Sequence, residues 1–200
     1  MVRESLARVL DASGEISVVG QAGDGIELQQ VVKLNAPQCL VMDYSMPNHD
    51  PTEVIKKLAG EFRRLRILVL TVHENVHYAV RVLQAGAHGY LIKSAAVDEL
   101  VDAIRAIEEG NVYVSKKIAS EVWAQYRRPK GKRNGLESLS QREFDVLRII
   151  GGGANLQDCA QQLKVSVSTV STYRGRILEK LNLNSTSEMV RFAIENNIVG

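Results

Sequence analysis

The sequence predicts an α/β unit built on a parallel sheet, followed by a smaller all-α unit. Three observations lead there. In the first half, short Val/Ile/Leu runs alternate with helical patterns, as in a sheet covered by helices on both faces. The basic stretch RRPKGKRNG (127–135) then interrupts the pattern with Pro, Gly and Asn. Beyond it, apolar residues recur only at helical spacing.

Taken in order, an amphipathic helix is expected over 2–10 and a strand, ISVVG, over 16–20. A helix at 25–34 leads to the strand CLVMD, 39–43. A helix at 52–58 leads to ILVLT, 67–71, and a helix at 75–84 leads to GYLIK, 89–93. The helix at 97–108 closes the series. Asp43, Thr71 and Lys93 each end a different buried run. Parallel strands share one carboxyl edge, where ligands bind, so a carboxylate, a hydroxyl and an ammonium are expected to converge there. That trio suits phosphoryl transfer to Asp43, with Lys93 pairing with the phosphoryl oxygens and Thr71 hydrogen-bonding them.

In the second half, Ser140 and Glu143 have capping-box spacing ahead of Phe144, Val146, Leu147, Ile149 and Ile150, and Gly151–Gly153 stop that helix. A helix over 156–163 carries Leu156, Cys159, Ala160 and Leu163 on one face. After the turn Lys164–Val165, SVSTVSTYRGRILEKL forms a third helix with Ser166 as its N-cap. Val170, Tyr173, Ile177 and Leu181 make its apolar back. Ser171, Thr172, Gly175 and Arg176 face outward, with Arg174 at the edge and Lys180 near the end. Helix, tight turn and helix with a small, hydroxyl-rich front suits a DNA major groove. Base contact is expected from Thr172 and phosphate contact from Arg176. A last helix at 187–196 shows Val190, Ala193 and Ile194 at helical spacing, and Ala193→Glu is expected to weaken pairing of two copies.

These motifs carry two resemblances. LVMDYSMP, VLTVHE, AGAHGYLIKS and VVGQAGDG resemble a response-regulator receiver domain, over residues 2–114, with a flavodoxin-like fold. LSQREFDVLRII, NLQDCAQQL and VSVSTVSTYRGRILEKLNLNS resemble the LuxR/FixJ (NarL-type) DNA-binding domain, over 139–199. The resemblance implies Asp43 as phosphoacceptor, Thr71, Tyr90 and Lys93 as switch residues, and Asp43 with the Ser45 carbonyl as ligands of Mg2+. It implies Ser171, Thr172, Arg174, Gly175, Arg176 and Lys180 at DNA. The implied partners are promoter DNA, a sensor histidine kinase and a second copy of the chain on DNA.

One departure bears on all of this. Receivers begin with a strand ending in an acidic pair that holds the metal, and this sequence opens at the helix that follows such a strand. In the order 2-1-3-4-5 the missing strand would lie between ISVVG and CLVMD. Either the chain is a fragment or its strands re-pair. The metal site is expected to be incomplete, leaving as an alternative a phosphorylation-independent regulator whose receiver only dimerises. Pro51 stands where receivers usually have Gly. The expected domains are 1–114, a helical and basic linker at 115–137, and 138–200.

Composition narrows the classes. At 45% hydrophobic and 24% charged, the chain reads as globular. Its longest apolar runs are too short for a bilayer, and no secretory signal opens it, so no membrane association and a cytoplasmic site are expected. Cys39 and Cys159 lie apart in apolar patterns, as buried free thiols do. The net charge of +2 hides a focus: 127–135 holds 5 basic and no acidic residues, whereas 136–200 holds 7 of each. That linker is either a solvated hinge or a tethered phosphate contact. Enzyme readings fail. A haloacid-dehalogenase-type nucleophile needs an Asp two residues on, where Ser45 stands, and GGGAN follows a helix and lacks the P-loop Lys-Ser/Thr.

Overall fold

The computed structural model describes residues 2–45, 50–72, 74–94, 97–127 and 135–199. They divide into two compact units, Met1–Tyr126 and Arg127–Gly200. In the first, β1 (Cys39–Asp43), β2 (Arg66–Thr71), β3 (Gly89–Ile92) and β4 (Tyr113–Val114) pair in the order β1-β2-β3-β4, all parallel. Met42 lies beside Val69, Val69 beside Tyr90, and Thr71 beside Ile92. The central strands are buried on both faces: Ile67, Leu68 and Val69 are inaccessible to solvent.

Among the described residues, α1 (Val2–Ala12) and α2 (Gly25–Asn35) precede β1, α3 (Pro51–Glu61), α4 (Val76–Ala85) and α5 (Val97–Glu108) join successive strands, and α6 (Ala119–Tyr126) follows β4. Leu10 of α1 and Leu100, Ala103, Ile104 and Ile107 of α5 pack with Leu68 and Leu91 in one core cluster. Gly89 permits this close approach, since a Cβ there would meet Leu68 Cδ1 at 2.6 Å. Truncating Ile107 to Ala in such a core costs about 2–5 kcal/mol. Pro51 occupies the first position of α3 behind the N-cap Asp50, where proline's missing N–H is harmless.

Two expectations are corrected. Residues 16–20 run without strand pairing. The Val18 N–H donates to Asp11 Oδ1 at 2.8 Å instead of to a ladder, while Ile16 and Val18 still pack against the core. A β-branched run forms a strand only when a neighbour offers a backbone edge, and among the described residues none does. Conversely, Tyr113–Val114 pairs with β3 as a short strand that the sequence pattern did not mark.

The second unit is helical: a single 3-10 turn (Leu136–Ser138), then α7 (Gln141–Gly151), α8 (Leu156–Leu163), α9 (Val167–Leu181) and α10 (Thr186–Glu195). The capping box forms, with the Ser140 N–H donating to Glu143 Oε2 at 2.7 Å. Asn155 caps α8, and Ser166 caps α9 by accepting from the Thr169 N–H at 3.1 Å. Between them Lys164 adopts φ 54° and its N–H closes α8, which makes the tight turn. Ala193 is a core residue: a Cβ on Gly151 would stand 2.5 Å from its own. Ala193→Glu would therefore disrupt the domain itself and, contrary to the sequence-based expectation, cannot report on pairing. Ile194, 58% exposed, takes the outward position. Among the described residues, no helix is long and apolar enough to cross a membrane.

Candidate functional site

The carboxyl edge of the sheet brings the expected residues together. Asp43 is the last residue of β1, Thr71 the last of β2, and Lys93 follows β3 directly, its N–H donating to the Thr71 carbonyl at 2.6 Å. Lys93 Nζ reaches Asp43 Oδ2 at 2.5 Å, and the Ser45 N–H donates to Oδ1 at 2.9 Å. The side chains of Lys93 and Asp43 are 33% and 43% exposed, so the pair is open to an incoming group and screened by water. Thr71 and Tyr90 are fully buried. They share a side-chain hydrogen bond; burial pushes the Tyr90 phenol well above its ordinary pKa, and the Thr71 contact offsets part of the rise. Tyr44, next after Asp43, meets Tyr78 of α4 edge to face, with ring centroids 5.0 Å apart.

This donor set does not fit a magnesium ion. Among the described residues no three His, Cys, Asp or Glu side chains cluster, and the Lys93 ammonium already occupies Oδ2 of Asp43. Hard dications bound by protein take carboxylate oxygens, and a cation on the same oxygen opposes them.

The second unit offers α9. Ser171, Thr172, Gly175 and Arg176 are all exposed along it, as the periodicity predicts. Thr172 spends its hydroxyl proton inside the helix, on the Ser168 carbonyl at 3.0 Å. A Cβ on Gly175 would meet nothing within 4 Å, so no internal contact asks for glycine there. Two expected contacts have partners at home. Arg174 is half-buried and donates from Nε to Thr186 Oγ1 at 2.7 Å. Lys180 donates from Nζ to Glu143 Oε2 at 2.6 Å. Val167 is exposed at the first position of α9, just behind the Ser166 cap. The basic linker lies largely outside the described residues, at 128–134.

The chain matches the family model for the response regulator receiver domain over residues 1–105. It matches that for bacterial regulatory proteins of the luxR family over 137–193. It is 34% identical over 198 residues to the response regulator UvrY of Escherichia coli K12, covering 99% of this chain and 91% of that protein. It is 33% identical over 199 residues to the response regulator GacA of Pseudomonas aeruginosa, covering 100% and 93%. Among solved structures, RcsB from Salmonella enterica serovar Typhimurium, bound to the promoter rprA in the presence of phosphomimetic BeF3-, aligns with a TM-score of 0.59 at 25% identity, over 96% of this chain and 92% of that one. A parallel α/β unit with an acid–lysine edge, joined to a helix-turn-helix unit and matched along nearly its whole length, places the chain in the response-regulator family, as a DNA-binding transcription regulator of two-component signalling with a luxR-type output domain.

Proposed function

We propose that Asp43 is the phosphoacceptor and that α9 enters the major groove of promoter DNA, with two copies of the chain on one site. The observation that carries the first half is the Lys93–Asp43 contact beside the buried Thr71–Tyr90 pair. One Asp43 oxygen attacks the phosphorus of a sensor kinase's phosphohistidine. The P–N bond breaks, and the imidazole nitrogen leaves with the bonding pair. Lys93 then neutralises the phosphoryl oxygens, and Thr71 hydrogen-bonds them. Receiver domains generally use Mg2+ in this transfer; in this chain Asp43 and Ser45 are the residues that would contribute to its site, and they fall short of one.

A second reading has a specific support in the same contact. Lys93 already compensates the Asp43 charge at 2.5 Å, which suits a regulator that binds DNA without phosphorylation and uses its receiver to dimerise. In either case the protein is a cytoplasmic regulator and not an enzyme. Its functional division is 1–114 for the receiver, 115–137 for the linker and 138–200 for DNA.

The test is labelling of the full chain from acetyl phosphate with Mg2+, with promoter-sized DNA binding measured in parallel. Slow labelling that Asp43→Asn abolishes, with DNA affinity rising on labelling, supports the first reading. Undiminished DNA binding by Asp43→Asn, equal with and without the phosphodonor, supports the second. Rapid, stable labelling would show that the metal site is complete after all.

A further inference from the structure

We infer that Arg63, Arg64 and Arg66 form a second, sequence-blind contact for the phosphodiester backbone of DNA, on the first unit. The inference rests on the DNA-binding reading of the second unit. α3 ends where the Phe62 N–H donates to the Leu58 carbonyl, and a tight turn follows, with the Leu65 N–H donating to the Phe62 carbonyl. Leu65 is buried and anchors the turn, so Arg63 and Arg64 stand outside it, exposed, with Arg66 half-buried at the start of β2. Three guanidinium groups thus share four residues of chain.

Four other cations of this unit are neutralised by carboxylate partners. Lys56 pairs with Glu53, Lys93 with Asp43, Arg105 with Glu15 and Asp102, and Lys117 with Glu74. Among the described residues, no carboxylate lies within 4.0 Å of Arg63, Arg64 or Arg66. The uncompensated charge is felt nearby. His88, whose Nδ1 accepts from the Ile67 N–H at 3.2 Å, is held below its ordinary pKa by burial first and by the charge of Arg66 second. The C-terminus of α3 offers about half a negative charge, which offsets a fraction of three.

The cluster cannot serve phosphoryl transfer to Asp43. Arg66 opens β2 and Thr71 ends it, a rise of about 16 Å along the strand, so the arginines lie at the opposite end of the sheet from Lys93. Guanidinium forks match phosphate oxygens two at a time. With the second unit on DNA, a tethered first unit meets flanking phosphates at an effective concentration on the order of millimolar. An acidic protein would have to be supplied separately, and this favours DNA.

The experiment measures binding of the full chain to random-sequence duplexes of ~20 and ~40 base pairs, two and four helical turns, across a salt series. The wild type is expected to show a steeper salt dependence on the longer duplex. The triple variant Arg63→Gln/Arg64→Gln/Arg66→Gln should lose about two units of slope there and little on the short duplex. The triple lysine variant should keep the slope, and matched thermal melting of the variants excludes a folding defect. An equal slope for wild type and glutamine variant on the longer duplex would overturn the inference. Loss of retention on immobilised polyglutamate with that unchanged slope would overturn it in favour of an acidic protein partner. No binding of wild type to either duplex at low salt would overturn the DNA-binding reading itself, and this inference with it.

Discussion

Lys180 and Glu143 form an ion pair at 2.6 Å between α9 and the first turn of α7, and the Glu143 side chain is only 3% exposed. Glu143 also accepts from the Ser140 N–H, so one carboxylate caps α7 and ties it to α9. Burial pushes its pKa up, but the hydrogen bonds from Lys180 and Ser140 outweigh that and hold it below the ordinary carboxylate value. A folded pKa that is depressed contributes stability above the unfolded pKa and loses it as pH falls through the folded one. Lys180→Met should therefore lower stability by roughly 1–2 kcal/mol at neutral pH, discounted because the lysine is itself part-exposed. That deficit should shrink as the medium is acidified. Urea midpoints over a pH series check it. A midpoint unchanged by Lys180→Met, with a lower salt slope on DNA, would return Lys180 to the DNA contacts.

Gly175 offers a test in which two readouts move in opposite directions. It sits exposed inside α9, and a Cβ there meets open space. Within the folded unit, alanine should be better, by about 0.5–1 kcal/mol of helix stability. Against DNA it should be worse if the helix backbone lies close to base edges. Gly175→Ala is expected to raise the melting temperature and weaken DNA binding about tenfold, or 1.4 kcal/mol. A stabilised variant with unchanged affinity would remove Gly175 from the contact surface.

Pairing of two copies is tested at Ile194, since Ala193 is packed against Gly151. Helix-turn-helix dimers read two half-sites, so a residue at the pairing surface matters when both are present. Ile194→Glu should weaken binding to a paired site much more than to a half-site, with the melting temperature nearly unchanged. Ala193→Glu should unfold the domain by burying an unpaired charge. Equal losses for Ile194→Glu on both DNAs would show that α10 takes no part in pairing.

Much of this was legible in the residues because it depends on local pattern. Asp43, Thr71 and Lys93 could be grouped because parallel strands must end on one edge, and the back of α9 follows from 3.6-residue spacing. What was not legible depends on distant partners. Residues 16–20 have strand composition, but pairing needs a neighbour that composition does not supply. Tyr113–Val114 is too short to show alternation. Arg174 and Lys180 looked available because Thr186 and Glu143 lie 12 and 37 positions away. Ala193 and Ile194 are adjacent, and which of them faces inward was decided by a glycine on another helix.

The last prediction separates readout from attachment on α9. The second unit has as many acids as bases in 136–200, so its affinity for DNA rests on where the free cations stand. Arg174 is engaged with Thr186 and Lys180 with Glu143, which leaves Arg176 as the exposed cation on the outward face. Its neighbours on that face are short, and the Thr172 hydroxyl is already donated to the Ser168 carbonyl. Thr172 is therefore suited to apolar contact with a thymine methyl and Arg176 to phosphate. Arg176→Ala should weaken binding to all sequences alike and lower the salt slope by about one unit. Thr172→Ala should act at one base position and leave the slope alone. Arg174→Ala should lower the melting temperature as well as affinity, because it removes a contact between α9 and α10. A panel of single-base variants at two salt concentrations distinguishes these outcomes. A loss on Arg176→Ala confined to one position, of about 1–3 kcal/mol, would instead make Arg176 a guanine reader.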